Sequence, residues 1–199
     1  MTRLLVATTN SGKLAELDLL LKPLGYEMVS LNDLDPIDAP AEEGDTFAEN
    51  ARSKALYYAT SFGLPTLADD SGLEVRALGG APGVRSARFA GEESNDRTNL
   101  EKLVNVMADQ EDREAHFTCA ICLTRGDHPL VEVQGQCDGR LAKEPRGNEG
   151  FGYDPLFIPH DSTGAERTFG EMSREEKQSL SHRGCALASL LQELAELDR

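Results

Sequence analysis

Residues 46–72 constrain the fold more tightly than any other stretch. Thr46 and Glu49 form a capping box, Phe47, Ala51, Ala55, Tyr58 and Phe62 lie on one stripe at helical spacing, and Gly63 with Pro65 stops the helix. The apolar run Thr66-Leu67-Ala68 follows at once. It predicts a strand whose end delivers Asp69, Asp70, Ser71 and Gly72. Two adjacent carboxylates call for a cation or a proton beside them, so this strand end points to metal-assisted hydrolysis or phosphate handling. A solvated turn is the other reading of Asp, Ser and Gly together.

The remaining pattern interleaves strands and helices in the same way. Leu4 to Thr8 reads as a strand, and Asn10 caps a helix with Leu14, Leu17, Leu21 and Leu24 inward and Gly25 closing it. Tyr26 to Ser30 alternates as a second strand, before a loop with Pro36, Pro40 and the acidic run Glu42-Glu43-Gly44-Asp45. Leu73-Glu74-Val75 resumes an extended pattern, and Gly79 to Gly83 is a loop. A third helix runs from Ser94 or Asp96 to Met107, with Leu100, Leu103, Val104 and Met107 inward. His116 to Thr124 and Leu130 to Gln136 predict an antiparallel hairpin about Gly126-Asp127-His128-Pro129. Ser173 and Glu176 make another capping box, and Leu187, Leu190, Leu191, Leu194 and Leu197 stripe a C-terminal helix. The sum is a mixed α/β protein.

At 199 residues the chain is one domain, or two joined lobes, long enough to bury a core. No run approaches a membrane span, and the N-terminal residues enter a strand pattern without a secretory signal, so a cytoplasmic protein is expected. The formal charge of -15 argues against a general nucleic-acid surface. A small anionic substrate remains open, provided that it meets local cations or a metal ion. Cys119 and Cys122 have C-x-x-C spacing, but they sit on an alternating strand. An odd separation there puts the two sulfurs on opposite faces, as buried structural thiols.

Several clusters fit phosphate chemistry. Thr8, Thr9, Asn10, Ser11, Gly12 and Lys13 open the first helix, where free N–H groups, the helix dipole and an ammonium together suit an anion. The earlier glycine of a P-loop falls at Ala7, so that motif is absent. Lys54 flanks the apolar stripe of its helix and can extend an ammonium into a cleft. Glu42 and Glu43 are oxygen ligands of the kind magnesium accepts. In the loop Gly150-Phe151-Gly152-Tyr153-Asp154-Pro155, Phe151 and Tyr153 either stack on a planar base or anchor the loop to the core, while Asp154 can accept from ring N–H groups. His182 and Arg183 open the last helix with two donors side by side.

Taken together these residues resemble the inosine triphosphatase family, also called non-standard purine NTP pyrophosphatases or XTP/dITP diphosphatases. The resemblance spans nearly the whole chain: Thr8-x-Asn10-x-x-Lys13, Thr46-Phe47-x-Glu49-Asn50-Ala51-x-x-Lys54-Ala55, Ala68-Asp69-Asp70-Ser71-Gly72-Leu73, Gly79-Gly80-Ala81-Pro82-Gly83, Gly150 to Pro155, and Ser181-His182-Arg183. It implies an elongated α/β fold of two lobes about a long mixed sheet, with residues 1–199 forming one pyrophosphatase domain and the active site in the cleft between the lobes.

It also implies a magnesium-dependent homodimer that converts ITP, dITP and XTP to the monophosphate and pyrophosphate, clearing them from the nucleotide pool before they enter DNA or RNA. By that resemblance Thr8 to Lys13, Lys54 and Lys177 hold the triphosphate, Asp70 is general base and metal ligand, and Ser71 contacts substrate. Phe151, Gly152, Tyr153, Asp154, His182 and Arg183 enclose the base. The family places an acidic residue, a short Thr-Gly or Asp-Gly step and one further residue before Thr-Phe. Here Glu43-Gly44-Asp45 fills that step, which makes Glu42 the metal ligand with Glu43 as the alternative. A nucleotide sensor without chemistry and a sugar-phosphate phosphatase are the competing classes; the paired carboxylates oppose the first and the aromatic glycine loop the second.

Overall fold

The computed structural model describes residues 3–21, 25–160, 164 and 166–197. Its strands are β1 (Arg3–Val6), β2 (Glu27–Ser30), β3 (Thr66–Val75), β4 (Glu114–Arg125), β5 (His128–Leu141) and β6 (Phe157–Pro159). Its helices are α1 (Ser11–Leu21), α2 (Phe47–Phe62), α3 (Asp96–Val106), α4 (Arg174–Leu180) and α5 (His182–Leu197). The strands form a sheet in the order β2-β1-β3-β4-β5-β6. β1 runs parallel to β2 and β3, and β5 is antiparallel to β6. The sheet is therefore mixed, as the interleaved pattern predicts.

Two compact units divide the chain. The first comprises Met1–Asp70, Cys119–Gly135 and Ala186–Arg199, and the second Ser71–Thr118 and Gln136–Cys185. In the first unit, Leu17 and Leu21 of α1 pack with Leu4 and Val6 of β1, Leu67 of β3, Cys119, Ile121 and Leu123 of β4, and Leu187 and Leu190 of α5. In the second, Leu73 and Val75 of β3 join Leu103 of α3, Met107 just after it, Phe117, Leu141, and the rings of Tyr153, Phe157 and Phe169. Phe117 meets Phe157 edge to face, with centroids 4.8 Å apart, a favoured aromatic geometry.

The helix boundaries follow their caps. Thr46 Oγ1 accepts the Glu49 N–H, Glu49 returns the bond to the Thr46 N–H, and Gly63 closes α2 with φ 64° in the left-handed region. Ser173 and Glu176 cap α4 by the same reciprocal pair. Other expectations are revised. β3 runs unbroken through Asp69-Asp70-Ser71-Gly72 to Val75, so the aspartates lie in the body of a strand and not at its end or in a turn. β4 and β5 are each longer than predicted, and only Gly126 and Asp127 separate them. Leu197, placed on the inner stripe of α5, is 57% exposed, because the helix outruns the core that its earlier leucines fill. Leu24 lies outside the described residues. Cys119 and Cys122 are both buried thiols, and burial raises Cys122 to about 12, which suits packing rather than nucleophilic or ligand chemistry.

Candidate active site

In the first unit, Leu5 and Val6 of β1 pair with Thr66 and Leu67 of β3, and the chain then leads into α1. Asn10 Oδ1 accepts the Lys13 N–H at 3.0 Å, and Thr8 Oγ1 accepts the Asn10 N–H at 3.2 Å. That start places the Lys13 ammonium 2.9 Å from Asp69 Oδ2, whose side chain is 1% exposed. From α2, Lys54 Nζ pairs with Glu42 Oε1 at 2.6 Å and donates to the Asp69 carbonyl at 3.1 Å. Asn50, one turn earlier on α2, donates from Nδ2 to Asp70 Oδ2 at 3.0 Å.

Charge and burial oppose each other in this group. Burial raises the Asp70 carboxyl above its ordinary value, with Lys54, Asn50 and Lys13 drawing it back and Glu42 adding to the rise. For Lys54, burial acts to lower its value, but Glu42, Asp69 and Asp70 outweigh it, and the ammonium is held above the ordinary lysine range. A buried carboxylate of raised basicity beside fixed ammonium groups suits a general base next to a polyanion.

In the second unit, Arg183 at the start of α5 is 2% exposed, and its Nη2 donates to Ser71 Oγ at 2.9 Å. Its guanidinium carbon lies 5.8 Å from the centroid of the Phe151 ring. The Lys177 ammonium sits 4.6 Å from the same centroid and pairs with Asp154 Oδ2 at 2.7 Å, both side chains being 5% exposed or less. Asp154 Oδ2 also accepts the Phe151 N–H at 2.8 Å. Glycine is required at position 150, where φ is +76° and an added Cβ would stand 2.1 Å from Asp154 Oδ2. Gly152 donates its N–H to Asp96 Oδ2 at 3.0 Å.

This constellation carries the signature of one family along nearly its full length. The Ham1 family profile matches residues 4–193. The chain belongs to the Ham1 family. It is 48% identical over 189 residues to a dITP/XTP pyrophosphatase of Deinococcus radiodurans, covering 95% of this chain and 91% of that protein. A dITP/XTP pyrophosphatase of Desulfotalea psychrophila is 45% identical over 194 residues, covering 98% and 86% respectively. Among solved structures, a HAM1 protein from Coxiella burnetii superposes with a TM-score of 0.85 at 40% identity, covering 98% of this chain and 100% of that one.

Within this Ham1 chain the expected residues gather as two groups. Lys13, Glu42, Lys54, Asp69 and Asp70 meet in the first unit, with Thr8 and Asn10 shaping the start of α1; Thr9 and Ser11 are exposed there and Gly12 is half-buried. Ser71, Phe151, Gly152, Asp154, Lys177 and Arg183 meet in the second. Lys177 stands beside Asp154 and Phe151. Tyr153 is 5% exposed in the core, and its hydroxyl donates to the Ser86 carbonyl at 2.8 Å, so its ring takes the anchoring alternative. The His182 ring stacks on Phe117, centroids 4.6 Å apart and planes 11° from parallel. Half-buried Glu42 reaches Lys54, whereas Glu43 is exposed.

The sequence assigns no site role to Asn50, which it shows only as part of a motif, to Asp96, which it shows only as a helix start, or to Ser86. For Asn50 a signal existed: it lies four residues before Lys54 and so shares its helix face. Among the described residues no group of three or more His, Cys, Asp or Glu side chains is placed to hold a metal ion. Glu42 and Asp70 nonetheless stand close enough for the charge on one to raise the other. Two carboxylates and no nitrogen or sulfur donors fit magnesium, which takes one or two carboxylates and fills its shell with water and substrate phosphates.

Proposed function

We propose that this Ham1 chain hydrolyses ITP, dITP and XTP to the nucleoside monophosphate and pyrophosphate, removing non-standard purine triphosphates from the nucleotide pool. The observation that carries the reading is the set of half-buried Lys13, Lys54 and Glu42 about buried Asp69 and Asp70, in a chain whose relatives are named dITP/XTP pyrophosphatases. Lys13, Lys54 and the N–H groups opening α1 bind the triphosphate. Asp70 takes the proton of the water that attacks the α-phosphorus; its raised basicity brings it toward the operating pH. Asp69 holds Lys13 in place. Glu42 and Asp70 would hold Mg²⁺, which when bound supplies charge neutralisation on the phosphate oxygens.

Phe151 offers a face to the purine, and Arg183 and Lys177 supply donors suited to a 6-oxo acceptor. Adenine presents a donor at that position, so donor would meet donor there, a penalty on the order of 10⁴-fold in specificity. The active form in this reading is a homodimer acting on free nucleotides rather than on nucleic acid.

The test is to incubate the protein and magnesium with ITP, dITP, XTP, GTP or ATP and to assay pyrophosphate and orthophosphate separately. Pyrophosphate from the first three, with ATP nearly inert, is the expected result. Orthophosphate, or tight ITP binding without release, would refute it. Asp70→Asn abolishes turnover while leaving nucleotide binding largely intact; unchanged turnover would remove Asp70 as the base.

A further inference from the structure

We propose that Asn50 is a positioning residue that holds the Asp70 carboxylate and the acidic loop bearing Glu42 in one fixed arrangement. The inference rests on the pyrophosphatase reading above and adds a residue to it. Asn50 is 2% exposed, and both ends of its amide are engaged. Nδ2 donates to Asp70 Oδ2 at 3.0 Å, and Oδ1 accepts the Gly44 N–H at 2.8 Å. An amide presents a donor and an acceptor from one planar group, whereas a carboxylate offers acceptors alone and an aliphatic side chain neither.

The loop is shaped to this contact. A Cβ added at Gly44 would stand 2.7 Å from Asn50 Oδ1 and 2.9 Å from Glu49 Cβ, so the backbone comes this close only because residue 44 has no side chain. Glu49 Oε2 accepts the next two N–H groups, from Asp45 at 2.9 Å and Thr46 at 3.1 Å. Residues 44–46 are thus tied to the first turn of α2 by three backbone donors, and Glu42, just upstream, is tied to Lys54 on the same helix. Asn50 joins this set to Asp70 through a direct hydrogen bond. A general base acts only within hydrogen-bond reach of its proton, and misplacement of a reacting group by about 1 Å costs on the order of 100-fold in rate.

Two substitutions separate the ends of the amide. Asn50→Asp keeps the acceptor for Gly44 and loses the donor to Asp70; Asn50→Ser reaches neither partner and covers the case in which the aspartate variant fails to fold. Steady-state ITP hydrolysis, affinity for a non-hydrolysable ITP analogue and exchange of the Gly44 amide by NMR are measured on wild type and both variants. Asn50→Asp is expected to lower kcat about 100-fold with KM and analogue affinity within about threefold, and to leave the Gly44 amide protected. Asn50→Ser is expected to lower kcat as far and to speed Gly44 exchange. A kcat within threefold of wild type in either variant, kcat and KM lost together in Asn50→Asp, or unchanged Gly44 exchange in Asn50→Ser would overturn the assignment. A wild-type protein inactive on ITP would instead overturn the functional reading, and Gly44 exchange would still decide whether Asn50 holds the loop.

Discussion

Lys177 shows how a residue type can be legible while its role is not. A lysine suits a phosphate and a carbonyl acceptor equally, and the resemblance put it on the triphosphate. The structure sets it against Asp154 and the Phe151 ring. If it reads the base, Lys177→Met lowers kcat/KM for ITP by about 100-fold and that for ATP little; if it holds phosphate, both fall alike. Competition between ITP and ATP in one reaction distinguishes the two. The same substitution leaves Asp154 as a buried charge without its ammonium, at a cost of about 3–5 kcal/mol in stability, and Lys177→Arg serves as the charge-preserving control. Asp70, Lys13 and Lys54 could be proposed from sequence because each lies in a compact motif. Asn50, Ser86 and Asp96 act through partners remote in sequence, which spacing alone does not reveal.

Among the elements, α2 was the most legible because its ends are fixed by local chemistry. The bond from Glu49 N–H to Thr46 Oγ1 is 3.2 Å long, and Thr46→Ala removes it. The expected loss is about 1 kcal/mol in a urea unfolding experiment; a loss below a few tenths would show that the box contributes nothing. β3 was the least legible. Asp, Ser and Gly are depleted in strands and favoured in turns, so residues 69–72 looked like a break. The strand persists because Leu67 on one side of the break and Leu73 and Val75 on the other are each committed to a core, and packing outweighs a weak local preference. The extensions of β4 and β5 escaped notice for a related reason: Glu114, Arg125 and Asp138 interrupt the apolar signal while the backbone continues.

Over the whole molecule, the net charge of -15 coexists with local devices that hold several carboxylates ionised. Asp33 is lowered by the Ser30 N–H and hydroxyl, Asp112 by Arg76, Glu171 by the Thr168 N–H, and Glu176 by Arg167 and the Ser173 N–H. A carboxylate lowered in the folded state stabilises that state above its unfolded value and loses the effect as pH falls through the folded one. Asp70, which is raised, works in the opposite sense. These lowered groups predict a melting temperature that falls as pH drops below about 4, measurable by calorimetry between pH 7 and 3; a flat profile would contradict it. Continuous β3 also limits how such a gene can drift. Side chains alternate along a strand, so one codon gained or lost between 66 and 69 turns every later residue of the strand over and exchanges Asp70 for a neighbour. Point changes away from Asp69 and Asp70 leave this register intact. Changes of length are confined to the loops.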